Sequence, residues 1–241
     1  MLTRIATLTV LSVGIALAAD RPAGLSVYTW TREDLFSGPL GNDAERHQRG
    51  MQKLEEILKQ NPKDADALAM KGFGFAWLAT KALERGDRAG FDRQWDDAVK
   101  LLDQAMAIDP KGGGVNAVYG ATMLYWFDQI PPERREHARK QGKASYTVLY
   151  TSQEKGLDQM PVHFKGEVLA GMAEAERRMG NTEQSQVYLR RIVETMAGSP
   201  YERRAKQWLE KPETITAASR LMCQSCHDPG RLEARLAAMK K

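Results

Sequence analysis

Apolar residues recur along this chain at helical spacing and almost never alternate. Met51, Leu54, Ile57 and Leu58 fall on one face of a helix that begins near Asp43 and ends at Asn61-Pro62-Lys63-Asp64. A second helix is expected from Ala65 to about Glu84, stopped by Arg85-Gly86-Asp87. A third is expected from Phe91 to Ile108, stopped by Asp109-Pro110-Lys111 and the glycines that follow. Pro131-Pro132 opens a charged helix, proline being well tolerated at a helix start. Further helices begin near Pro161 and Pro200, and Arg231 to Met239 is a last amphipathic one. Upstream, Leu25 to Trp30 suits a short extended piece, and Thr31 is placed to cap a helical turn at Arg32-Glu33-Asp34. Tyr28, Trp30 and Phe36 are expected to pack on the first helices. With no strand-like alternation of useful length, the pattern predicts an all-α fold.

The helix stops repeat. Leu58-Lys59-Gln60-Asn61-Pro62 and Met106-Ala107-Ile108-Asp109-Pro110 each close an apolar stripe with a proline. Small residues stand where paired helices would cross: Gly72 and Ala98, with Phe75, Leu102 and Ala105, in one stretch. Gly171, Ala175 and Gly180, with Leu189 and Ile192, occupy another, from Pro161 to Gly198. Gly120 with Tyr125 is placed to start a third, damaged unit. This pattern resembles the tetratricopeptide repeat, over about two-thirds of the chain. The resemblance implies an α-solenoid of helix pairs whose concave face binds a protein partner. Gly72 and Ala98 stand about fourteen residues too far apart for a standard unit, so the 81–94 stretch must lengthen the helices or add a loop.

Composition and charge add an address. Met1-Leu2-Thr3-Arg4 is a short basic start, Ile5 to Leu17 is an apolar run too short to span a bilayer, and Ala16-Leu17-Ala18 is a small-x-small pattern. Residues 1–18 are therefore expected to be a cleavable secretory signal, directing a periplasmic or otherwise exported protein. No later segment approaches a membrane span, so the mature chain should be soluble. The formal charge of +4 is mild and makes no case for nucleic acid.

The chemistry sits near the other end, in Cys223-Gln224-Ser225-Cys226-His227. C-x-x-C-H is the attachment sequence of a c-type haem: two thiols on one turn add to the two vinyl groups, and the following imidazole binds the iron. Both cysteines of the chain and one of its four histidines fall in this window. A zinc site would need ligands from His47, His137 or His163, none paired at ligand spacing, and a thioredoxin-like motif should accompany a βαβ pattern. Fourteen residues follow His227, too few to build after it the domain of the common small class of cytochrome c, in which the motif lies near the domain's start. That placement is similar to the four-helix cytochromes c′, whose motif lies on the last helix and whose distal face is often open. The Asp228-Pro229-Gly230 turn departs from them.

The expected organisation is thus a signal (1–18), a tetratricopeptide-like scaffold (19–211) and a short haem-binding segment (212–241). One covalent haem c is held by Cys223, Cys226 and His227, with His227 ligating the iron. For the sixth position an open or water-bound face, His163 and Met239 stay as alternatives. His163 follows Met160-Pro161-Val162 in an apolar setting, whereas His47 and His137 lie among charged residues on helices that look solvated. The expected function is one-electron transfer, with a redox protein docked on the repeat face. A gas-binding or peroxidase-like protein with an open distal face, and a scaffold in which haem is structural, are the rivals. No catalytic triad, phosphate loop or second metal cluster is assembled by the sequence.

Overall fold

Three aspartates set the starts of consecutive helices. In the computed structural model, which describes residues 31–212, 215 and 220–222, the side chain of Asp43 accepts from the Arg46 amide and opens α2 (Ala44–Gln60). Asp64 accepts from the Ala67 amide to open α3 (Ala65–Glu84), and Asp87 accepts from the Gly90 amide to open α4 (Arg88–Ile108). Each cap satisfies an amide that the helix itself cannot pair. The Asp87 cap explains why α4 begins three residues before the expected Phe91: helix starts are set by caps, not by the first apolar residue. Ahead of them lies α1 (Arg32–Gly41), where Thr31 makes no side-chain cap, contrary to expectation; its own backbone is already helical.

The remaining helices are α5 (Gly113–Tyr125), α6 (Pro132–Gln153), α7 (Val162–Arg178), α8 (Thr182–Thr195) and α9 (Pro200–Glu210), with a single 3₁₀ turn, Leu157–Gln159, before α7. The described residues are all-α. Neighbours in sequence pack as pairs, α1 with α2, α3 with α4, α5 with α6 and α7 with α8, while α3, α5 and α7 lie side by side. This is a solenoid-like stacking of helix pairs. None of the described helices is long and apolar enough to cross a membrane.

Two of the pairs turn in the same way. Gly86 and Gly180 have φ of +77° and +84°, a conformation that strains any residue with a Cβ. In both turns the next residue's amide reaches back into the preceding helix, Asp87 to Ala82 and Asn181 to Glu176, each at 2.9 Å. The stretch expected to lengthen the helices or add a loop does the former, since α3 has 20 residues and α4 has 21.

The small residues sit where helices touch. A Cβ on Gly72 would stand 2.9 Å from the Ala98 carbonyl oxygen and 2.8 Å from Leu102 Cγ. Tyr146 of α6 lies between two glycines: a Cβ on Gly120 would meet its ring at 2.8 Å, and one on Gly171 at 1.9 Å. Three successive helices therefore meet on one aromatic ring. The apolar interior divides in two. One core joins α1 to α5 around Phe73, Trp77, Phe91, Trp95 and Trp126, with Phe36 edge-on to Phe73 at 4.8 Å as expected. The other joins α5 to α9 around Tyr146, Leu169, Tyr188, Tyr201 and Trp208, and also takes in Leu221 and Met222.

Candidate functional site

Cys223, Cys226 and His227, expected to hold haem, and Met239 with them lie outside the described residues, as do the expected signal, the extended piece at 25–30 and the last helix at 231–239. The described chain reaches to Met222, the residue before the first cysteine, and there it is firmly seated. Leu221 and Met222 are 1% and 2% exposed, packed into the second core. Arg204 of α9 donates to the Arg220 carbonyl, and the Arg220 guanidinium lies 4.1 Å from the centroid of the Tyr125 ring, at the end of α5.

Around this seat the fold gathers arginines from distant parts of the sequence. Arg178, on the last turn of α7, donates to both carboxylate oxygens of Asp128 in the α5–α6 connection, and its Nε donates to Glu174 Oε1 at 2.8 Å. Arg177 takes both oxygens of Glu174, at 2.9 and 2.8 Å, and lies over the Trp208 ring. Burial alone would raise the Asp128 carboxyl, but Arg178, with help from Arg177 and Arg220, holds it below its ordinary value. Arg177 and Arg178 thus engage all four oxygens of Asp128 and Glu174, while Arg204 holds the Arg220 carbonyl and the Arg220 charge is felt at Asp128 without a hydrogen bond to it. Arg220 Nη2 is buried and has no hydrogen-bond partner among the described residues. Nothing in the sequence pattern announced this group, since Asp128 and Arg178 are fifty residues apart. The signal available was only that Arg220 immediately precedes the motif.

The histidines fall in three separate places. His47, expected on a solvated helix face, is instead 1% exposed. Its ring packs on Trp77 at 4.2 Å, in a crease that exists because Gly38 and Gly74 lack side chains. Burial lowers its pKa from 6.5 to about 4, a hydrogen bond with the Gly74 backbone opposing this only in part. The charged neighbours that suggested solvent occupy the other side of the same helix. His137 is exposed, as expected, and lines an open groove of about 630 Å³ between α4 and α6 with Trp95, Asp103 and Arg134. His163, expected in an apolar setting, is exposed at the first turn of α7, its Nδ1 3.4 Å from Tyr201 Oη. That hydroxyl donates to Glu167 at 2.6 Å, and the Tyr201 ring is buried against the backbone of Gly166. Among the described residues no three His, Cys, Asp or Glu side chains are grouped to hold a metal ion.

No family model, curated protein or solved structure matches this chain.

Proposed function

We propose that this protein is an exported, single-haem c-type cytochrome that carries its haem at the end of a tetratricopeptide-like helical body and passes one electron to or from a protein partner docked on that body. The observation that carries this reading is the motif itself, with both cysteines of the chain two residues apart and a histidine directly after them. In it Cys223 and Cys226 attach the macrocycle and His227 ligates the iron; the haem supplies one-electron exchange.

The surroundings suit such a group. Haem carries two carboxylates, and the residues leading into the motif stand beside an excess of arginines with an unused buried donor. Leu221 and Met222, the two residues before the motif, are anchored in the second core. Paired helices with α3, α5 and α7 side by side support the repeat-like part of the reading, since stacks of this kind are generally binding surfaces with no chemistry of their own.

The test is expression in a host competent in haem maturation. A haem stain should survive denaturing electrophoresis in the wild type and vanish in the C223A/C226A variant. Two free thiols by mass analysis of the wild type would overturn the proposal.

A further inference from the structure

Of the four arginines near the residues that lead into the motif, Arg220 is the one with a buried donor that has no acceptor among the described residues. Asp128 has both oxygens engaged by Arg178, and Glu174 has both engaged by Arg177, with Arg178 sharing one. Arg204 is turned to the Arg220 carbonyl. The Arg220 guanidinium lies over the Tyr125 ring, 4.1 Å from its centroid, and its Nη2 is buried without an acceptor among the described residues. A buried cationic donor left unpaired is costly, and a carboxylate is the partner that matches its planar fork. Arg220 is three residues before Cys223, so the backbone puts them within about 11 Å of each other.

We propose that Arg220 is the group that binds a haem carboxylate, and through it sets the reduction potential of the haem; this rests on the haem reading above. The physical expectation has a definite sign. Reduction adds one electron to the haem, so a fixed positive charge close by favours the reduced state and raises the potential. It also favours the ionised carboxylate and lowers the pH at which that carboxylate titrates. Tyr125, beneath the guanidinium, is a positioning residue in this scheme, and Asp128 and Glu174 keep Arg177 and Arg178 from competing.

Redox titration of the full-length haem protein as a function of pH tests this. R220Q should lower the midpoint potential and move the acid limb of the potential–pH curve to higher pH, with covalent haem retained. R220K, which keeps the charge and loses the fork, should fall between. R190Q, which removes an equal charge from an exposed position on α8, should match the wild type. R220Q and R190Q curves that both superpose on the wild type would overturn the proposal while leaving the haem reading intact. Equal shifts in the two variants would overturn it too, reducing the effect to net charge. Should R220Q fail to fold, R220K decides alone: an unshifted acid limb refutes the carboxylate contact. Wild-type protein without stainable haem would sink the underlying reading instead.

Discussion

Asp34 on α1 and Asp128 after α5 are both drawn below the ordinary carboxylate range by basic side chains that outweigh burial, yet they belong to different kinds of site. Asp34 accepts from Arg49 at 2.9 and 3.0 Å and from Lys53 at 3.1 Å, ties α1 to α2, and leaves its surplus charge in water, because the Arg49 side chain is 45% exposed. At the other end Arg178 is only 12% exposed, and Arg220 Nη2 is buried without an acceptor among the described residues. The cores differ in parallel. The first contains Phe73 and Trp77 of α3, Phe91 and Trp95 of α4 and Trp126 just after α5, whereas the second contains Tyr146, Tyr188 and Tyr201 and two residues of the lead-in segment. A surplus of charge that water can reach costs little, whereas a buried surplus calls for a counter-ion. The Asp34 cluster therefore needs no further partner, whereas the Arg220 donor has none among the described residues.

Truncation after Lys211 attacks that contrast most directly. Removing Leu221 and Met222 takes about 3–6 kcal/mol of burial from the second core, as an upper estimate. The truncated chain should still melt cooperatively, with amide hydrogen exchange accelerated in α5 to α9 and little changed in α2 to α4. Equal loss of protection in both halves would mean that the two cores are one unit. Gly171→Leu is the next largest, at about 3 kcal/mol or more, because even its Cβ would overlap the Tyr146 ring where α6 and α7 cross. A melting temperature within a degree or two of wild type would show that this crossing is looser than the packing implies.

The third measurement concerns the first half alone and is set by His47. Its folded pKa of about 4 is below the ordinary 6.5, so between these values the unfolded chain binds the extra proton. The contribution, about 3 kcal/mol at most, is complete above pH 6.5 and is lost as the pH falls towards 4. Asp34 adds to the loss only at lower pH, as its carboxyl takes up a proton. His47→Phe should flatten the stability curve between pH 6.5 and 4, and an unchanged slope would place the acid sensitivity elsewhere.

Much of this was open to reading in the sequence, for physical reasons that act locally. Helix periodicity, the Asn-Pro and Asp-Pro stops and the Gly86 turn depend on residues a few positions apart, and α3 runs from Ala65 to Glu84 as its pattern implies. Gly72 and Gly171 were recognisable as crossing points because only small residues admit another helix so closely. The C-x-x-C-H motif is likewise contained in five consecutive residues. What only the tertiary structure decided depends on partners far along the chain. His47 looked solvated by its neighbours in sequence, but the glycines at 38 and 74 open a crease that Trp77 closes. His163 looked sheltered among apolar residues, yet the start of α7 faces outward. Asp128, Glu174, Arg178, Arg204 and Arg220 carry no periodicity that links them; α5 packs against α7, Arg178 ties the end of α7 to Asp128 just after α5, and Arg204 on α9 holds the Arg220 carbonyl. Charge is read along a chain one residue at a time, but its balance is settled only in space, and so the unpaired arginine before Cys223 was invisible until the helices were packed.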